Sequence, residues 1–226
     1  MIYEIAGLKV EMNPKFDRLL RQSEQYKSSG EPIMRLNPSG MRDYSSLCNC
    51  SEEDREYICS SAEFCRRIIK HGRFFLHASA VVLGGKAYLF SAPTGTGKST
   101  HTALWLKKFP GSYILNDDKP VIFPKNGGIS VFGTPFSGKT DLNINREVPL
   151  QAICFLSRSE DNGICGVTED RAIAHLLDNT YRPRSTDEMN LLLNMLGEVV
   201  ESVGIYEMHC TMDEAAAELA HGVMKG

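Results

Sequence analysis

The stretch SAPTGTGKST, residues 91–100, decides how the rest of the chain is interpreted. Residues 92–99 follow the phosphate-binding pattern G-x-x-x-x-G-K-[ST] except at the first position, where Ala92 replaces glycine. Such a loop needs backbone N–H groups that point inward around an anion, and a helix N-terminus aimed at it. Gly95 and Gly97 can supply the positive-φ positions, and the methyl group of Ala92 is tolerable if its φ is negative. The stretch therefore predicts a nucleotide-binding loop.

Two side chains of this stretch have predicted chemical roles. Lys98 supplies a positive charge for the β and γ phosphates, and Ser99 supplies a hydroxyl for Mg²⁺, so the expected ligands are ATP and Mg²⁺. A glycine turn that happens to contain Lys-Ser is the simpler alternative. The predicted nucleotide-binding residues are Thr94, Gly95, Thr96, Gly97, Lys98, Ser99 and Thr100.

The flanking patterns give the loop the expected context. KAYLFSA (86–92) reads as a strand, and KSTHTALWLKKF (98–109) as a helix with Ala103, Leu104 and Leu106 available for packing. Elsewhere strand patterns, hairpins and helical patterns are mixed along the chain. This predicts an α/β fold: a P-loop nucleotide-binding domain with a mixed β-sheet.

The first 56 residues differ in character from the rest. They are polar, with turn patterns at KSSGEP (27–32) and NPSG (37–40) and short strands expected near residues 2–11 and 32–37. A helix is predicted over residues 57–71, ended by Gly72. We therefore expect a short N-terminal β extension over residues 1–56 and the nucleotide-binding domain over residues 57–226.

Composition excludes several classes of function. The chain has 226 residues, a formal net charge of −3 and no long basic run, so neither nucleic acid nor a membrane is an expected partner. Its apolar runs are too short for a membrane span. The N-terminus MIYEIAGLKVEMN has no basic-then-apolar layout of a signal peptide, and we expect a cytoplasmic location.

Four of the seven cysteines fall in one segment: Cys48, Cys50, Cys59 and Cys65. An odd total and irregular spacing argue against a disulfide framework. Zinc sites usually use cysteine pairs two to four residues apart, often with histidine partners, and this segment has no histidine. Reduced thiols are the favoured interpretation, with zinc as the alternative.

Two adjacent acids, Asp117 and Asp118, end the predicted strand SYILNDD (112–118). In a P-loop fold this position faces the phosphates, and two carboxylates can divide the work: one holds Mg²⁺ and the other accepts a proton. Asn-Asp-Asp is also good turn chemistry, which is the alternative. His77 lies in the middle of the predicted buried strand FFLHASAVVL (74–83), close to the loop or simply in the core.

Together, LHASAVVLGGKAYLFSAPTGTGKSTHTALW, YILNDDKPVI and FGTPFSGK resemble the C-terminal domain of HPr kinase/phosphorylase and its shorter relatives, over roughly residues 70–157. The resemblance implies the nucleotide-binding fold shared with phosphoenolpyruvate carboxykinase. It also implies that Lys98 and Ser99 bind phosphate and Mg²⁺, that Asp117 accepts the proton of a substrate serine, and that His77 lies near it.

The departures from that family are informative. The 56 residues at the N-terminus are too few for the family's N-terminal domain, and FGTPFSGKTDLN (132–143) lacks the glutamate that helps to hold Mg²⁺. Asp118 is the candidate for that metal role. The departures argue against HPr itself as the substrate, and some short relatives resemble kinases of ribosomally made peptides.

The loop GTPFSGKTD (133–141) is a candidate lid over the γ-phosphate or the acceptor. A solvated loop is the alternative. The residues of this candidate lid and substrate loop are Thr134, Ser137, Lys139 and Arg146.

The leading functional hypothesis is an ATP-dependent kinase that phosphorylates a hydroxyl, as on serine, of a peptide, protein or small molecule. The alternatives are a nucleotide sensor or slow ATPase without kinase activity, and a carboxykinase-like enzyme. The two acids favour chemistry, since a pure sensor needs no base. The acceptor's identity and the formation of a homo-oligomer stay open.

Overall fold

The computed structural model describes residues 1–37, 50–125 and 127–226. Most of the predicted turn at residues 37–40, and Cys48, lie outside the described residues. The described chain is a mixed α/β structure with two sheets: a four-stranded sheet near the N-terminus and a curled nine-stranded mixed sheet. The α/β class with a mixed sheet is therefore confirmed.

The N-terminal sheet begins with the hairpin predicted near residues 2–11. Ala6 and Gly7 both have positive φ at its turn, which lets the chain reverse within two residues. The strands of this sheet, in the order β3-β1-β2-β4, are β1 (Ile2–Ile5), β2 (Leu8–Glu11), β3 (Lys27–Ser28) and β4 (Met34–Arg35), with helix α1 (Asp17–Ser23) between β2 and β3.

Helix α2 (Glu52–Arg67) starts earlier than its apolar pattern predicted. The side chain of Ser51 accepts a hydrogen bond from the N–H of Asp54 and caps the helix, and three acids follow in the first turn. A 3-10 turn (Ile68–His71) continues it to Gly72, whose φ of 70° ends it as predicted. The proposed domain boundary at residue 57 thus falls inside a helix, and the division into domains stays a prediction.

The same apolar core contains residues from both sides of that boundary. Tyr3 and Val10 of the N-terminal sheet pack in one cluster with Phe64 of α2 and with Phe132 and Phe136 of the C-terminal part. The N-terminal residues therefore share a core with the larger sheet.

The large sheet has the strand order β5-β9-β10-β11-β7-β6-β8, with β13 beside β11 and β12 beside β13. Its strands are β5 (Phe74–Phe75), β6 (Ala78–Leu83), β7 (Lys86–Ser91), β8 (Tyr113–Asn116), β9 (Val121–Lys125), β10 (Gly128–Phe132), β11 (Glu147–Arg158), β12 (Gly163–Gly166) and β13 (Gly204–Cys210).

The strand directions bring the predicted site residues to one edge of this sheet. β11 runs parallel to β7 and to β13, while β6 is antiparallel to both β7 and β8. The carboxyl ends of β7, β8, β11 and β13 and the start of β6 therefore meet at one edge. Open α/β sheets usually bind ligands at the carboxyl ends of their strands.

Helices cover both faces of the large sheet. On one face, α3 (Lys98–Lys108) and α6 (Glu214–Met224) pack on the sheet through the apolar cluster that contains Trp105. On the other face, α4 (Glu169–Asp178) and α5 (Thr186–Ser202) pack on the sheet through the apolar cluster that contains Leu176 and Leu196. None of the helices in residues 1–37, 50–125 and 127–226 combines the length and apolar character needed to cross a membrane.

The buried face of α3 differs from the predicted one. Ala103 and Leu106 are exposed and Leu104 is half-buried, whereas His101, Thr102 and Trp105 are buried. Trp105 packs against the ring of Tyr88 on β7, with ring centroids 4.9 Å apart, and its Nε1 donates to His101 Nε2. Aromatic packing and one hydrogen bond thus turn a face with two polar residues inward.

We expect Trp105→Ala to destabilise the protein by about 3–5 kcal/mol, because it removes the largest fully buried side chain from the core between α3 and the sheet. Leu106→Ala is the matched control on the same helix, and its exposed side chain predicts a change within about 0.5 kcal/mol. Urea unfolding of both variants measures the difference. Equal losses of stability would show that α3 packs through Leu106 as much as through Trp105.

Candidate functional site

The loop between β7 and α3, residues 92–97, has positive φ at the two glycines for which the sequence predicted it. Gly95 has a φ of 83° and Gly97 a φ of 120°, values that side chains rarely allow. Ala92 is buried with no positive φ, and its methyl group belongs to the apolar cluster beneath α3. The alanine thus contributes to the core at a position where the backbone has no need of glycine.

Lys98 is the first residue of α3 and lies over this loop. Its Nζ donates a 2.8 Å hydrogen bond to the carbonyl oxygen of Ala92. Burial lowers the pKa of Lys98, and the negative charges of Asp118 and Asp117 partly oppose that effect. The lysine is therefore close enough to both acids to interact with their charges. Ser99 and Thr100 follow it and are exposed at the start of the helix.

Arg158, at the end of β11, holds the outer side of the loop. Its Nε donates to the carbonyl oxygen of Thr96 (2.9 Å) and its Nη2 to that of Gly95 (2.6 Å). These bonds satisfy two carbonyl oxygens of the loop and tie it to the end of β11. Beside them lies an open cleft of about 270 Å³ including its mouth, lined in part by Leu104, Leu156 and Met212.

Asp117 follows β8 and is the more buried of the two acids, at 8% exposure. Its N–H donates to the carbonyl oxygen of Leu142 at 3.1 Å. Its Oδ1 is buried and has no hydrogen-bond partner among the residues that the structure describes. An unsatisfied buried polar group costs about 1–3 kcal/mol, and more when it is charged. A partner such as a cation or a substrate hydroxyl would remove that cost.

Asp118, in contrast, has several partners within the protein. Its Oδ2 accepts from Lys119 Nζ and from the hydroxyl of Tyr57, at 3.1 Å for the tyrosine. Its Oδ1 lies 3.5 Å from His77 Nε2. The backbone of this turn is fixed by Asn116, whose Oδ1 accepts from the N–H groups of Asp118 and Lys119. The adjacent acids therefore differ: one is tied into a network and one retains a free oxygen.

His77 reaches the site, but from a different element than predicted. It lies in a two-residue break between β5 and β6 rather than in the middle of one strand, so the prediction of a continuous strand over residues 74–83 is wrong. The break is held by hydrogen bonds of its backbone: the N–H of His77 donates to Asn179, and its carbonyl accepts from Ser91 Oγ. The ring is consequently aimed at the edge of the sheet instead of the core.

The environment of His77 favours its neutral form. Burial lowers its pKa, the charge of Lys98 lowers it further, and Asp118 opposes both. At neutral pH the contact with Asp118 therefore joins a neutral imidazole to an acidic side chain and is not an ion pair.

The loop 133–141 differs from the expected lid. A Cβ on Gly133 would lie 2.0 Å from the carbonyl oxygen of Ile144, so this glycine is needed for close packing. Thr134 and Ser137 are fully buried: Thr134 Oγ1 donates to the carbonyl oxygen of Lys119, and Ser137 Oγ accepts from Asn143 Nδ2. Both side chains are therefore held inside the protein by these bonds.

The other two residues of the candidate lid lie at the surface. Lys139 is exposed. Arg146 is also exposed and donates to the hydroxyl of Tyr113 at the start of β8. Because Asp117 follows the opposite end of that four-residue strand, Arg146 lies roughly 13 Å along the strand from the acids. The structure therefore does not bring Arg146 together with the loop and the two carboxylates.

The residues present fit a divalent cation bound with a nucleotide. Asp118 offers its Oδ1, which lies 3.5 Å from His77 Nε2, and Ser99 offers an exposed hydroxyl at the helix start. Mg²⁺ takes one or two protein oxygens and fills its other positions with phosphates and water. No group of three His, Cys, Asp or Glu side chains suited to a metal occurs among the described residues, and Cys48 of the zinc alternative lies outside them.

Three contributors to the site were missed by sequence reasoning: Tyr57, Lys119 and Arg158. Lys119 directly follows the two acids, and that adjacency could have suggested a counter-charge. Tyr57 and Arg158 are separated from their partners by 61 and 62 residues. No local pattern in the sequence marks either pairing.

Gly97 and Ala92, which stand at the two glycine positions of the phosphate-binding pattern, predict different mutational effects. Gly97→Ala should weaken ATP binding about tenfold or more, because φ of 120° is strained for alanine and its Cβ would lie 2.9 Å from Met212 Cε. Ala92→Gly should leave ATP affinity within about twofold, since Ala92 already has a backbone that any residue adopts. Calorimetric titration of both variants with ATP decides the matter. A large gain in affinity for Ala92→Gly would mean that the methyl group obstructs the loop.

Comparisons with known proteins give one family and a distant likeness of fold. The model of the family described as "SynChlorMet cassette protein ScmC" matches residues 48–195. No curated protein matches the chain. Among solved structures, the Hpr(Ser) kinase/phosphatase from Coxiella burnetii is 11% identical, with 66% of this chain and 94% of that chain covered at a TM-score of 0.37. A likeness this distant carries no functional argument.

Proposed function

Since the chain belongs to the family of the SynChlorMet cassette protein ScmC, a family description that names no reaction, we propose its function from its own site. The protein is an ATP-dependent kinase. It transfers the γ-phosphate of ATP to a hydroxyl group, such as that of a serine, on a peptide, protein or small molecule. The fold is proposed to be of the HPr kinase and phosphoenolpyruvate carboxykinase type, with residues 57–226 as the nucleotide-binding domain.

One observation carries the proposal: a buried carboxylate oxygen of Asp117 has no partner among the described residues, and the acid lies within electrostatic range of Lys98 on the glycine loop. A protein that only holds phosphate has no need of a second, unsatisfied negative charge beside its lysine. A phosphotransferase needs one, because the acceptor hydroxyl must lose a proton as it attacks.

The loop residues bind and orient the nucleotide. The N–H groups of Thr94, Gly95 and residues 97–100 surround the β and γ phosphates, while the N–H of Thr96 donates to the carbonyl oxygen of Pro93. The ammonium of Lys98 leaves the carbonyl of Ala92 to pair with the phosphates. Mg²⁺, held by Ser99 and Asp118, would neutralise phosphate charge when bound.

The transfer step follows from the position of Asp117. The acceptor hydroxyl donates a hydrogen bond to the free Oδ1 of Asp117, and its oxygen attacks the γ-phosphorus. The new O–P bond forms as the bond to the bridging β–γ oxygen breaks, so the electron pair leaves with ADP and the proton passes to Asp117. His77 is neutral and lies beside Asp118, where it can orient that acid without adding charge.

A nucleotide sensor or slow ATPase is the second candidate, and one observation favours it. Asp118 is already paired with Lys119, which lowers its availability to a metal ion. A carboxykinase-like enzyme is the weaker alternative, because such enzymes need more metal ligands than the described residues bring together.

The test is ATP turnover by the purified protein with and without hydroxyl-bearing acceptors, with mass spectrometry of each acceptor. Because the family description refers to a cassette, proteins and peptides encoded in the same cassette are the first acceptors to try. A kinase gives acceptors heavier by one phosphate and turnover that rises with acceptor concentration. Binding of ATP with turnover that no acceptor changes would favour the sensor or slow ATPase.

A further inference from the structure

Tyr57 on α2 joins the N-terminal part of the chain to the candidate site. Its ring is buried and lies edge-on to Phe136, and its hydroxyl makes two contacts. One is with Asp118 Oδ2 at 3.1 Å and the other is with the backbone nitrogen of Gly138 at 2.8 Å. Neither contact is part of the glycine loop or of the phosphate-binding pattern.

The chemistry of these groups fixes the direction of both hydrogen bonds. The N–H of Gly138 can only donate, so the oxygen of Tyr57 accepts from it. The hydroxyl hydrogen of Tyr57 is then free for the carboxylate of Asp118, which can only accept. Burial raises the pKa of Tyr57 well above its usual value, and the charge of Asp118 raises it further, so the hydroxyl keeps this hydrogen.

These bonds distinguish the two oxygens of Asp118. Oδ2 accepts from both Tyr57 and Lys119, while Oδ1 is left facing His77 at 3.5 Å. Two donors on one oxygen hold the plane of the carboxylate in one orientation. The tyrosine hydroxyl thus helps to fix the direction in which the other oxygen faces the site.

Helix α1 in turn fixes the partner of Tyr57. The carbonyl oxygen of Gly138 accepts from Arg18 Nη2 at 2.6 Å and from Gln22 Nε2 at 3.0 Å. The guanidinium of Arg18 also lies 3.6 Å from the centre of the Tyr57 ring and pairs with Asp54 at the start of α2. Contacts therefore run without a gap from α1 through Gly138 and Tyr57 to Asp118.

We propose that Tyr57 is a positioning residue that orients Asp118 through its hydroxyl group, and that α1 supports it, so that the N-terminal residues complete the candidate site. The catalytic consequence rests on the proposed function. The orienting contact itself does not.

The first experiment compares Tyr57→Phe with Tyr26→Phe. Both tyrosines are buried in the same apolar cluster, but the hydroxyl of Tyr26 has no hydrogen-bond partner among the described residues. We expect Tyr57→Phe to lower kcat for phosphate transfer about tenfold with little change in KM for ATP, as for the loss of one charge-assisted hydrogen bond. Tyr26→Phe should keep both constants. A wild-type kcat for Tyr57→Phe would overturn the inference.

The second experiment combines Tyr57→Phe with Asp118→Asn. If the hydroxyl acts through Asp118, the double variant should be no slower than Asp118→Asn alone. Effects that multiply would show that Tyr57 acts independently of Asp118 and would overturn the inference. Arg18→Gln should lower kcat in the same direction as Tyr57→Phe, and a wild-type kcat there would overturn the role assigned to α1.

Failure of the proposed function remains separable from failure of this inference. If the wild-type protein turns over no ATP with any acceptor, the kinase proposal fails. Urea unfolding of the wild type, Tyr57→Phe, Asp118→Asn and the double variant then tests whether Tyr57 orients Asp118. The midpoint should fall less for Tyr57→Phe in the Asp118→Asn background than in the wild type. An equal fall in both backgrounds would overturn the orienting contact.

Discussion

Lys98→Ala is expected to weaken Mg·ATP binding about 10–100-fold and to lower turnover by about 10²–10³-fold. The ammonium is the positive charge that α3 places over the glycine loop, and it holds the carbonyl of Ala92 until phosphate replaces that contact. Because burial disfavours the charged lysine, its removal should not lower the melting temperature by more than a few degrees. Calorimetry with ATP and a thermal melt of the same sample separate lost binding from lost folding.

Lys107→Ala is the matched control for that variant. Lys107 lies on the same helix, is exposed, and pairs only with Glu214 across the surface. An exposed pair contributes little to stability, so binding and turnover should stay at wild-type values. Wild-type affinity in Lys98→Ala would contradict the assignment of the loop as a phosphate site.

Asp117→Asn is expected to cut phosphate transfer by about 10²–10⁴-fold while ATP binding stays within a few-fold. The amide cannot take the proton of the acceptor hydroxyl. The substitution also replaces a buried carboxylate oxygen that has no partner among the described residues by a neutral group. The free energy of unfolding should therefore stay unchanged or rise, a pattern typical of residues retained for function at a cost in stability.

Asp118→Asn is the neighbouring control, and we expect it to change the free energy of unfolding in the opposite direction. Asp118 accepts from Lys119 and Tyr57, so the loss of its charge should lower the free energy of unfolding by about 1–3 kcal/mol. Urea unfolding and the rate of phosphate transfer are measured for both variants and compared. If transfer survives in Asp117→Asn while metal affinity collapses, Asp117 is the metal ligand and Asp118 becomes the candidate base. Normal transfer in both variants would rule out the kinase.

The sequence predicted the elements whose information is local. Strand β7, the glycine loop and α3 follow from KAYLFSA, two glycines and a helical pattern, and the positive φ of Gly95 and Gly97 follows from the residue type. The helix predicted over residues 98–109 has the bounds Lys98–Lys108 in the structure. Apolar periodicity and turn chemistry act over a few residues, so one chain suffices to recognise them.

The sequence was less informative where long-range contacts override a local pattern. The apolar run 74–83 reads as one strand, but the hydrogen bonds of His77 to Asn179 and Ser91 break it. The apolar residues of α3 suggested packing through Leu106, whereas the aromatic rings of Tyr88 and Phe90 select Trp105. In both places partners distant in sequence decide between local alternatives.

By itself the sequence predicted that a lysine and two acids would stand near a glycine loop, because the residue types and the order of the elements along the chain are written in it. Only the tertiary structure distinguished the two acids. Tyr57 and Lys119 converge on Asp118, while one oxygen of Asp117 is left buried without a partner among the described residues. Adjacent aspartates look alike in a sequence, and their different chemistry comes from which side chains the fold brings to each carboxylate, contacts that no local pattern encodes.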